Sequence, residues 1–334
     1  MDKFKIPVVL ILFKRKDTVL KIIDRIRQVQ PEKIYILSDE GRNEKEKKIV
    51  DDVRRTVENA LDWDCTVKKN YARENRGVHA NIGLGAKWVF EQEDKAIFLE
   101  DDNLPEVTFF RYCEEMLDLY EDDERILWVC GTNYLADYNT SNGSSYMFTR
   151  HLLPCGWASW ADKFNSFYDD KLLLADDSYV MSNIQNSYQD RKLYLQQCES
   201  IMNEKYRKDH GKRFGSWDYH MLLTLRANEM LGISPAKNQI KNIGVDENSI
   251  HGGSSMSNIM TKRFCGMESY PLEFPLVHPK TVLVDSDYER KISDIILYPF
   301  RYRISMKFTR AIKKLIGIPT HKKFKEGLKD KFCK

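Results

Sequence analysis

The strongest constraint on this chain's fold is an alternation in its first 130 residues between short strand-like runs and amphipathic stretches. Val8–Phe13, Lys33–Leu37, Cys65–Asn70 and Ala96–Leu99 read as strands. Between them, Thr18–Val29 carries Val19, Leu20, Ile22, Ile23, Ile26 and Val29 at helical spacing, and Glu44–Leu61 carries Ile49, Val50, Val53, Val57 and Leu61. Ala80–Phe90 reads as a third helix. A strand apolar along its whole length must be covered on both faces. The β-α-β-α order therefore predicts an α/β fold, a Rossmann-like and mostly parallel sheet flanked by helices. In such sheets ligands bind beyond the carboxyl ends of the strands.

The chain continues less regularly. Phe109–Tyr120 reads as a helix and Ile126–Gly131 as a strand; Asp137–Ser145 is a polar loop. Leu152–Trp160 is aromatic and glycine-bearing, Tyr188–Lys208 and Trp217–Ala227 are helical stretches, and Gly244–Asn258 is a Gly- and Ser-rich loop. No internal repeat is visible. The length of 334 residues suits one large domain, or one domain with an appendage.

Charge and cysteine usage narrow the class. The net charge of +3 is small for this size and does not by itself indicate a nucleic-acid binder. From Tyr288 to Lys334, however, fourteen Lys/Arg face four Asp/Glu, leaving the rest of the chain mildly acidic. Within Ser293–Ile318, apolar and aromatic residues such as Tyr298, Phe300, Phe308 and Leu315 interleave with Arg301, Arg303, Lys307, Arg310, Lys313 and Lys314. That pattern fits a basic amphipathic helix on an anionic membrane surface; the alternative is a terminal helix docked on the body with a solvated basic face. Seven scattered cysteines without a C-x-x-C pair argue against a disulfide framework or a thiolate zinc site, and fit a cytoplasmic protein. The apolar run Ile6–Phe13 falls far short of the roughly 20 residues a bilayer span needs and lacks a small-residue cleavage site. A buried first strand is the better reading of it.

Glu100, Asp101 and Asp102 follow the strand Ala96–Leu99 with no intervening residue. Three adjacent carboxylates at a strand end repel one another, and a hard cation relieves that repulsion. Mg²⁺ and Mn²⁺ prefer oxygen and commonly take one or two carboxylates plus substrate phosphates. A nucleoside diphosphate supplies such phosphates, and the metal then offsets charge on the departing diphosphate. Taken alone, an acidic run is more commonly a solvated loop. Its position at a strand end, before Asn103-Leu104-Pro105, is what points to a site.

At these residues the chain resembles a family. Ile97-Phe-Leu-Glu-Asp-Asp-Asn-Leu-Pro105, with Phe109, Phe110 and Tyr112, is similar to the strand, acidic triplet, proline and aromatic helix of inverting GT-A-fold glycosyltransferases. The likeness extends to the N-acetylglucosaminyltransferase that initiates complex N-glycans and to bacterial enzymes of glycosyltransferase family 2. Leu153-Pro-Cys-Gly-Trp-Ala-Ser-Trp160 resembles the family's aromatic loop beside the sugar. Ser216-Trp-Asp-Tyr-His220 resembles the loop bearing the catalytic base, and Gly244–Gly253 the loop over the diphosphate. Asn75-Arg-Gly77, with Asn81 and Gly83, looks like a pattern of family 2. The resemblance spans residues 6–255. It implies a GT-A-like catalytic domain at residues 1–270, with a nucleotide-binding half up to 130 and an acceptor half from 131, followed by a C-terminal extension at 271–334.

By that resemblance Asp102 contacts a Mn²⁺ or Mg²⁺ ion, Asp101 the ribose and Glu100 the donor sugar. Arg15 and Asp39, at the ends of the first two strands, would read the nucleotide base; a surface ion pair is the alternative. Gly156 and Trp157 would let the sugar ring stack on an aromatic face, although Trp157 and Trp160 also suit a core. Asp218 is the candidate general base, taking the acceptor hydroxyl's proton, with Trp217 as an apolar wall beside it; it also suits a helix N-cap. His251, flanked by glycine, would complete the metal site or face the diphosphate.

The expectation is thus a metal-dependent glycosyltransferase acting with inversion on a nucleoside-diphosphate sugar. UDP-GlcNAc or another UDP-sugar is favoured by the resemblance. The acceptor would be a glycan, lipid-linked, in cell-surface polysaccharide or lipopolysaccharide synthesis, with the enzyme peripheral on the cytoplasmic face of a membrane. A sugar nucleotidyltransferase shares the fold class, but Phe13-Lys-Arg-Lys-Asp17 lacks the glycine-rich loop expected after its first strand. A non-catalytic nucleotide-sugar-binding paralogue acting as an assembly factor is a further alternative. The basic tail carries no zinc pattern or aromatic RNA-binding signature, so nucleic acid is not an expected partner.

Overall fold

The computed structural model describes residues 3–245 and 259–318. Among these, ten strands occur: β1 (Val8–Leu12), β2 (Lys33–Ser38), β3 (Thr66–Tyr71), β4 (Lys95–Glu100), β5 (Asn103–Pro105), β6 (Ile126–Cys130), β7 (Tyr146–Thr149), β8 (Trp157–Trp160), β9 (Leu231–Pro235) and β10 (Ile240–Asn242). Eight of them form one sheet in the order β3-β2-β1-β4-β8-β6-β9-β7, and β5 and β10 pair separately, antiparallel. The first four run parallel. β8 runs antiparallel between β4 and β6, β9 is parallel to β6, and β7 closes the far edge antiparallel. The expected α/β class, a mostly parallel sheet flanked by helices, is the observed one.

Two-sided burial explains the arrangement. Every residue of β1 is buried. Val8, Leu10 and Leu12 point into one core, against Val19, Ile22, Ile23 and Ile26 of helix Lys16–Ile26 and Val53 and Val57 of helix Glu44–Ala60. Val9 and Ile11 point the other way, toward Ala86, Val89 and Phe90 of helix Gly85–Phe90 and Met221, Leu222 and Leu225 of helix Asp218–Ala227. The period of two along the strand thus feeds two separate layers.

Two differences from the sequence expectation have clear physical causes. The end of the aromatic segment Leu152–Trp160 is the strand β8, inserted in the middle of the sheet. Trp157-Ala-Ser-Trp160 is too short and too uniformly buried to show alternation; only its pairing to β4 and β6 makes it a strand. The basic amphipathic segment Ser293–Ile318 is two helices, Ser286–Ile296 and Phe300–Leu315, separated at Pro299. The first belongs to the body: Tyr288 and Ile292 are wholly buried, and the Tyr288 hydroxyl lies 2.7 Å from that of Ser234. Its C-terminal carbonyls, at Ile295 and Leu297, accept from Arg263 at 2.9 and 2.8 Å. The second helix, by contrast, exposes Phe300, Tyr302, Phe308 and Leu315. Among the described residues no helix is long and apolar enough to cross a membrane, and the six described cysteines are free.

This division predicts opposite outcomes for two truncations to alanine. Ile292→Ala should lower the unfolding free energy in a urea titration by about 2–5 kcal/mol. Phe308→Ala, at a residue 68% exposed, should change it by less than about 0.5 kcal/mol.

Candidate functional site

Parallel pairing of β1 with β4 brings Ile11 level with Glu100, so the chain leaving β1 runs directly over the acidic triplet. The Phe13 N–H donates to Asp101 Oδ2 at 2.9 Å. Arg15 spans two carboxylates, donating through Nη1 to Asp101 Oδ1 at 3.2 Å and Asp102 Oδ2 at 2.9 Å. Its Nη2 reaches the Gly244 carbonyl at 3.1 Å, and the Thr18 hydroxyl donates to the Asp101 carbonyl at 2.5 Å. Asn103 secures the other side: its Nδ2 donates to Asp102 Oδ1 at 2.6 Å while its Oδ1 accepts the Gly156 N–H at 2.8 Å.

The electrostatics follow from burial. The Glu100 carboxyl is pushed well above the ordinary range, first by burial, then by the charges of Asp102, Asp101 and Asp218, with Arg15 opposing. Asp101 is pushed up to about 6, again by burial first and Asp102 next, against Arg15 and the Phe13 N–H.

These groups line a cleft of about 440 Å³. Its walls include Phe13, Lys14 and Arg15 after β1, Asp39 after β2, Asn75, Gly77 and Asn81, then Pro154 and Cys155, and Arg207, Arg213, Phe214, Trp217 and Asp218. Residues far apart in sequence thus meet at one sheet edge. Of those singled out by sequence, Arg15, Asp39, Glu100, Asp101, Asp102, Trp217 and Asp218 share the cleft. His251 lies outside the described residues.

Asp39 lines the cleft, but its carboxylate is fully occupied. Oδ1 accepts from the Glu40 and Arg76 N–H groups at 2.9 and 2.7 Å, and Oδ2 accepts from Asn75 Nδ2 and the Gly77 N–H at 2.9 and 3.0 Å. A carboxylate has about four such acceptor positions. Asp39 therefore shapes the Asn75–Gly77 turn at the cleft edge.

Gly156 and Trp157 are not in the cleft wall. Trp157 is 1% exposed and lies in the core, stacked on Phe98 at 3.8 Å and Trp128 at 4.2 Å between ring centroids. It also backs Trp217 at 5.6 Å, so Trp217 is the aromatic wall and Trp157 its support. Gly156 is required by backbone geometry: its φ is +62°, and a Cβ would meet Ile240 Cδ1 at 2.5 Å. Gly244 is held for a different reason, since a Cβ there would meet Asp102 Oδ2 at 2.3 Å.

Asp218 is the first residue of its helix, after Trp217 at the N-cap position, so it is not the cap itself. Its Oδ1 accepts from the Ser216 hydroxyl. A carboxylate in a helix's first turn is stabilised by the helix dipole. Arg207 and Arg213 give no signal in the sequence, because charges at a helix end read as a solvated face. Tertiary structure brings them to the wall, where Arg213 donates to the Asn75 carbonyl.

A metal suits this floor in a particular way. Among the described residues, no group of three or more His, Cys, Asp or Glu side chains forms a cage for one. The donor set at Asp102 is a carboxylate beside two more, closely packed under Gly244 and already attracting the Arg15 cation. Carboxylate oxygens of this kind fit Mn²⁺ or Mg²⁺ bound together with a diphosphate that supplies further oxygens.

No family model matches the chain, and no curated protein matches it. Solved structures do. One is the glucosyl-3-phosphoglycerate synthase of Mycobacterium tuberculosis, in complex with Mn²⁺, UDP and glucosyl-3-phosphoglycerate, at 15% identity and a TM-score of 0.33. The match covers 52% of this chain and 64% of the synthase, short of two thirds of its length. A second is a UDP-glucose pyrophosphorylase with UDP-glucose, at 8% identity and a TM-score of 0.36, covering 72% of this chain and 94% of that one. A third is the 4-diphosphocytidyl-2C-methyl-D-erythritol synthase of Anaerococcus prevotii, at 10% identity and 0.31, covering 51% and 76%. Scores this low leave the functional reading to the chain's own geometry.

The placement of Trp157 has a measurable consequence. Trp157→Ala should cost about 3–5 kcal/mol of unfolding free energy, because it empties the middle of an aromatic stack. A loss below about 1 kcal/mol in a denaturant titration would return Trp157 to the surface of the cleft.

Proposed function

We propose that this chain is a metal-dependent glycosyltransferase that moves a sugar from a nucleoside-diphosphate donor to a hydroxyl acceptor with inversion. A single observation carries the reading. The fold brings Asp218, from a distant helix, into the wall of the same cleft whose floor is Glu100-Asp101-Asp102. One end of the cleft can thus hold a diphosphate, while a separate carboxylate is left for proton transfer.

In this proposal Asp102, with the donor's phosphates, holds Mn²⁺ or Mg²⁺, which when bound neutralises charge on the leaving diphosphate. Arg15 adds positive charge on the same side and keeps Asp101 and Asp102 oriented. Glu100, protonated or hydrogen-bonded in its buried position, binds a donor-sugar hydroxyl, and Asp101 faces the ribose. The Asn75–Gly77 turn, braced by Asp39, borders the nucleoside. Trp217 excludes water from one side. Asp218 accepts the acceptor hydroxyl's proton as its oxygen attacks the anomeric carbon, and displacement from the opposite face inverts that centre. UDP-GlcNAc or another UDP-sugar is the proposed donor, and a lipid-linked glycan of cell-surface polysaccharide or lipopolysaccharide the proposed acceptor.

The helix Phe300–Leu315 supports a peripheral place on the cytoplasmic face of a membrane. Its sixteen residues include six Lys/Arg and no acid, and Phe300, Phe308 and Leu315 are exposed. Basic residues attract anionic lipid while apolar side chains enter the interface.

Two experiments test these assignments. In a thermal-shift assay UDP with Mn²⁺ should stabilise the protein, and Asp102→Asn should abolish the Mn²⁺-dependent part. Asp218→Asn should keep that shift but slow UDP release from UDP-GlcNAc by about 10²–10⁴-fold. Loss of binding together with turnover would remove Asp218 from the role of base. Separately, a chain ending at Leu297, which spares Tyr288 and Ile292, should cease to sediment with phosphatidylserine vesicles while the full chain still does. Equal sedimentation of the two would end the membrane proposal.

A further inference from the structure

The turn that delivers Asp218 is built around a buried carboxylate that the proposed reaction does not use. Glu204 lies on helix Arg191–Asp209 and is only 7% exposed. It points at the turn between that helix and Asp218–Ala227. Its Oε2 accepts the Gly215 N–H at 2.6 Å, and the adjacent Ser216 N–H favours the charged form of the carboxylate. Ser216, 2% exposed, is thereby fixed by its backbone while its hydroxyl donates to Asp218 Oδ1. The neighbouring wall is held as firmly, with Arg207 Nε donating to the Arg213 carbonyl at 2.9 Å.

A buried acid is retained at a cost unless it organises something. Burial raises the Glu204 carboxyl, and the Gly215 and Ser216 N–H groups with Arg207 oppose that rise. Those N–H groups need an acceptor because the turn, leaving one helix and starting the next, lacks backbone partners for them. The arrangement is therefore a relay of position: Glu204 fixes the turn, the turn fixes Ser216, and Ser216 fixes one oxygen of Asp218.

We infer that Ser216 and Glu204 are positioning residues for the proposed base, holding the Asp218 carboxylate aimed into the cleft. This inference rests on the reading of Asp218 as base. Among the described residues, titratable groups on several elements act on Asp218, including Glu100 at the end of β4, Glu204, and the hydroxyls of Tyr134, Tyr168 and Tyr219. A hydroxyl that donates to a carboxylate favours the charged form of that carboxylate. Removing the Ser216 hydroxyl makes Asp218 easier to protonate. A base works only when unprotonated, so activity should then fail at a higher pH than before.

The test is the pH profile of UDP release from UDP-GlcNAc with Mn²⁺, water serving as the acceptor, in the full chain. Ser216→Ala should lower kcat about tenfold at neutral pH, leave the KM for UDP-GlcNAc within about twofold, and move the acid limb up by about one pH unit. Ser216→Thr, which keeps the hydroxyl, should restore the limb. Glu204→Gln should lower kcat in the same direction as Ser216→Ala, as the turn loses its charged acceptor. A thermal shift by UDP and Mn²⁺ should be the same in all three variants and the parent. If Ser216→Ala lowers the melting temperature yet keeps the parent's acid limb and kcat, Ser216 is only a structural bond of the turn and the inference is overturned. If the limb moves equally in Ser216→Ala and Ser216→Thr, the hydroxyl is not its cause and the inference fails as well. Should Asp218→Asn retain full turnover, the base reading itself fails, an outcome separate from either result on Ser216.

Discussion

Everything in the cleft depends on one constraint: three adjacent carboxylates must be held at the end of a buried strand. β4 is enclosed between β1 and β8, so Asp101 emerges buried and Glu100 and Asp102 half-buried. An uncompensated charge in such a place costs several kcal/mol. The fold compensates through β1. Its parallel pairing with β4 sets the register that puts the Phe13 N–H and the Arg15 guanidinium on these acids. Burial and the repulsion among the three acids still raise the Glu100 and Asp101 carboxyls.

A second dependence runs through aromatic packing. Phe98 on β4, Trp157 on β8 and Trp128 on β6 stack across the centre of the sheet, and Trp217 joins them at the cleft. Each such ring pair adds about 0.5–1.5 kcal/mol beyond the area it buries. The stack does more than stabilise. It ties the residue just before Asp218 to the same strands that present the acidic floor. The distance between the two ends of the cleft is therefore set by the core and not by a surface loop.

How much of this is legible in the sequence differs by element. The first half of the sheet is readable, because Val8–Phe13 and Ala96–Leu99 are apolar throughout and the helices between them show clear periodicity. The second half is not. β8 and β9 are four and five residues long, and β9 contains Gly232 and Pro235, so neither shows a period. In the site, the acidic triplet and Asp218 stand out through their order and the resemblance they carry. Asp39 and Trp157 are conspicuous in the sequence too, but each has a different partner from the one its position suggests. A sequence does not show that four donors converge on the Asp39 carboxylate, or that Trp157 faces inward. Glu204, Arg207 and Arg213 are silent, since each is an ordinary polar residue until the fold sets it in the cleft wall or behind it.

The sequence by itself determined the class of fold and the place where charge would gather. Local periodicity decides strand and helix, and three consecutive carboxylates after a buried run stay together however the rest packs. Only the tertiary structure decided what those carboxylates face. That Arg15 lies over Asp101 and Asp102, that Gly244 closes on Asp102, and that Asp218 reaches the same cleft all join residues separated by dozens to hundreds of positions. Such contacts come from strand register and core packing, which no short window of sequence encodes.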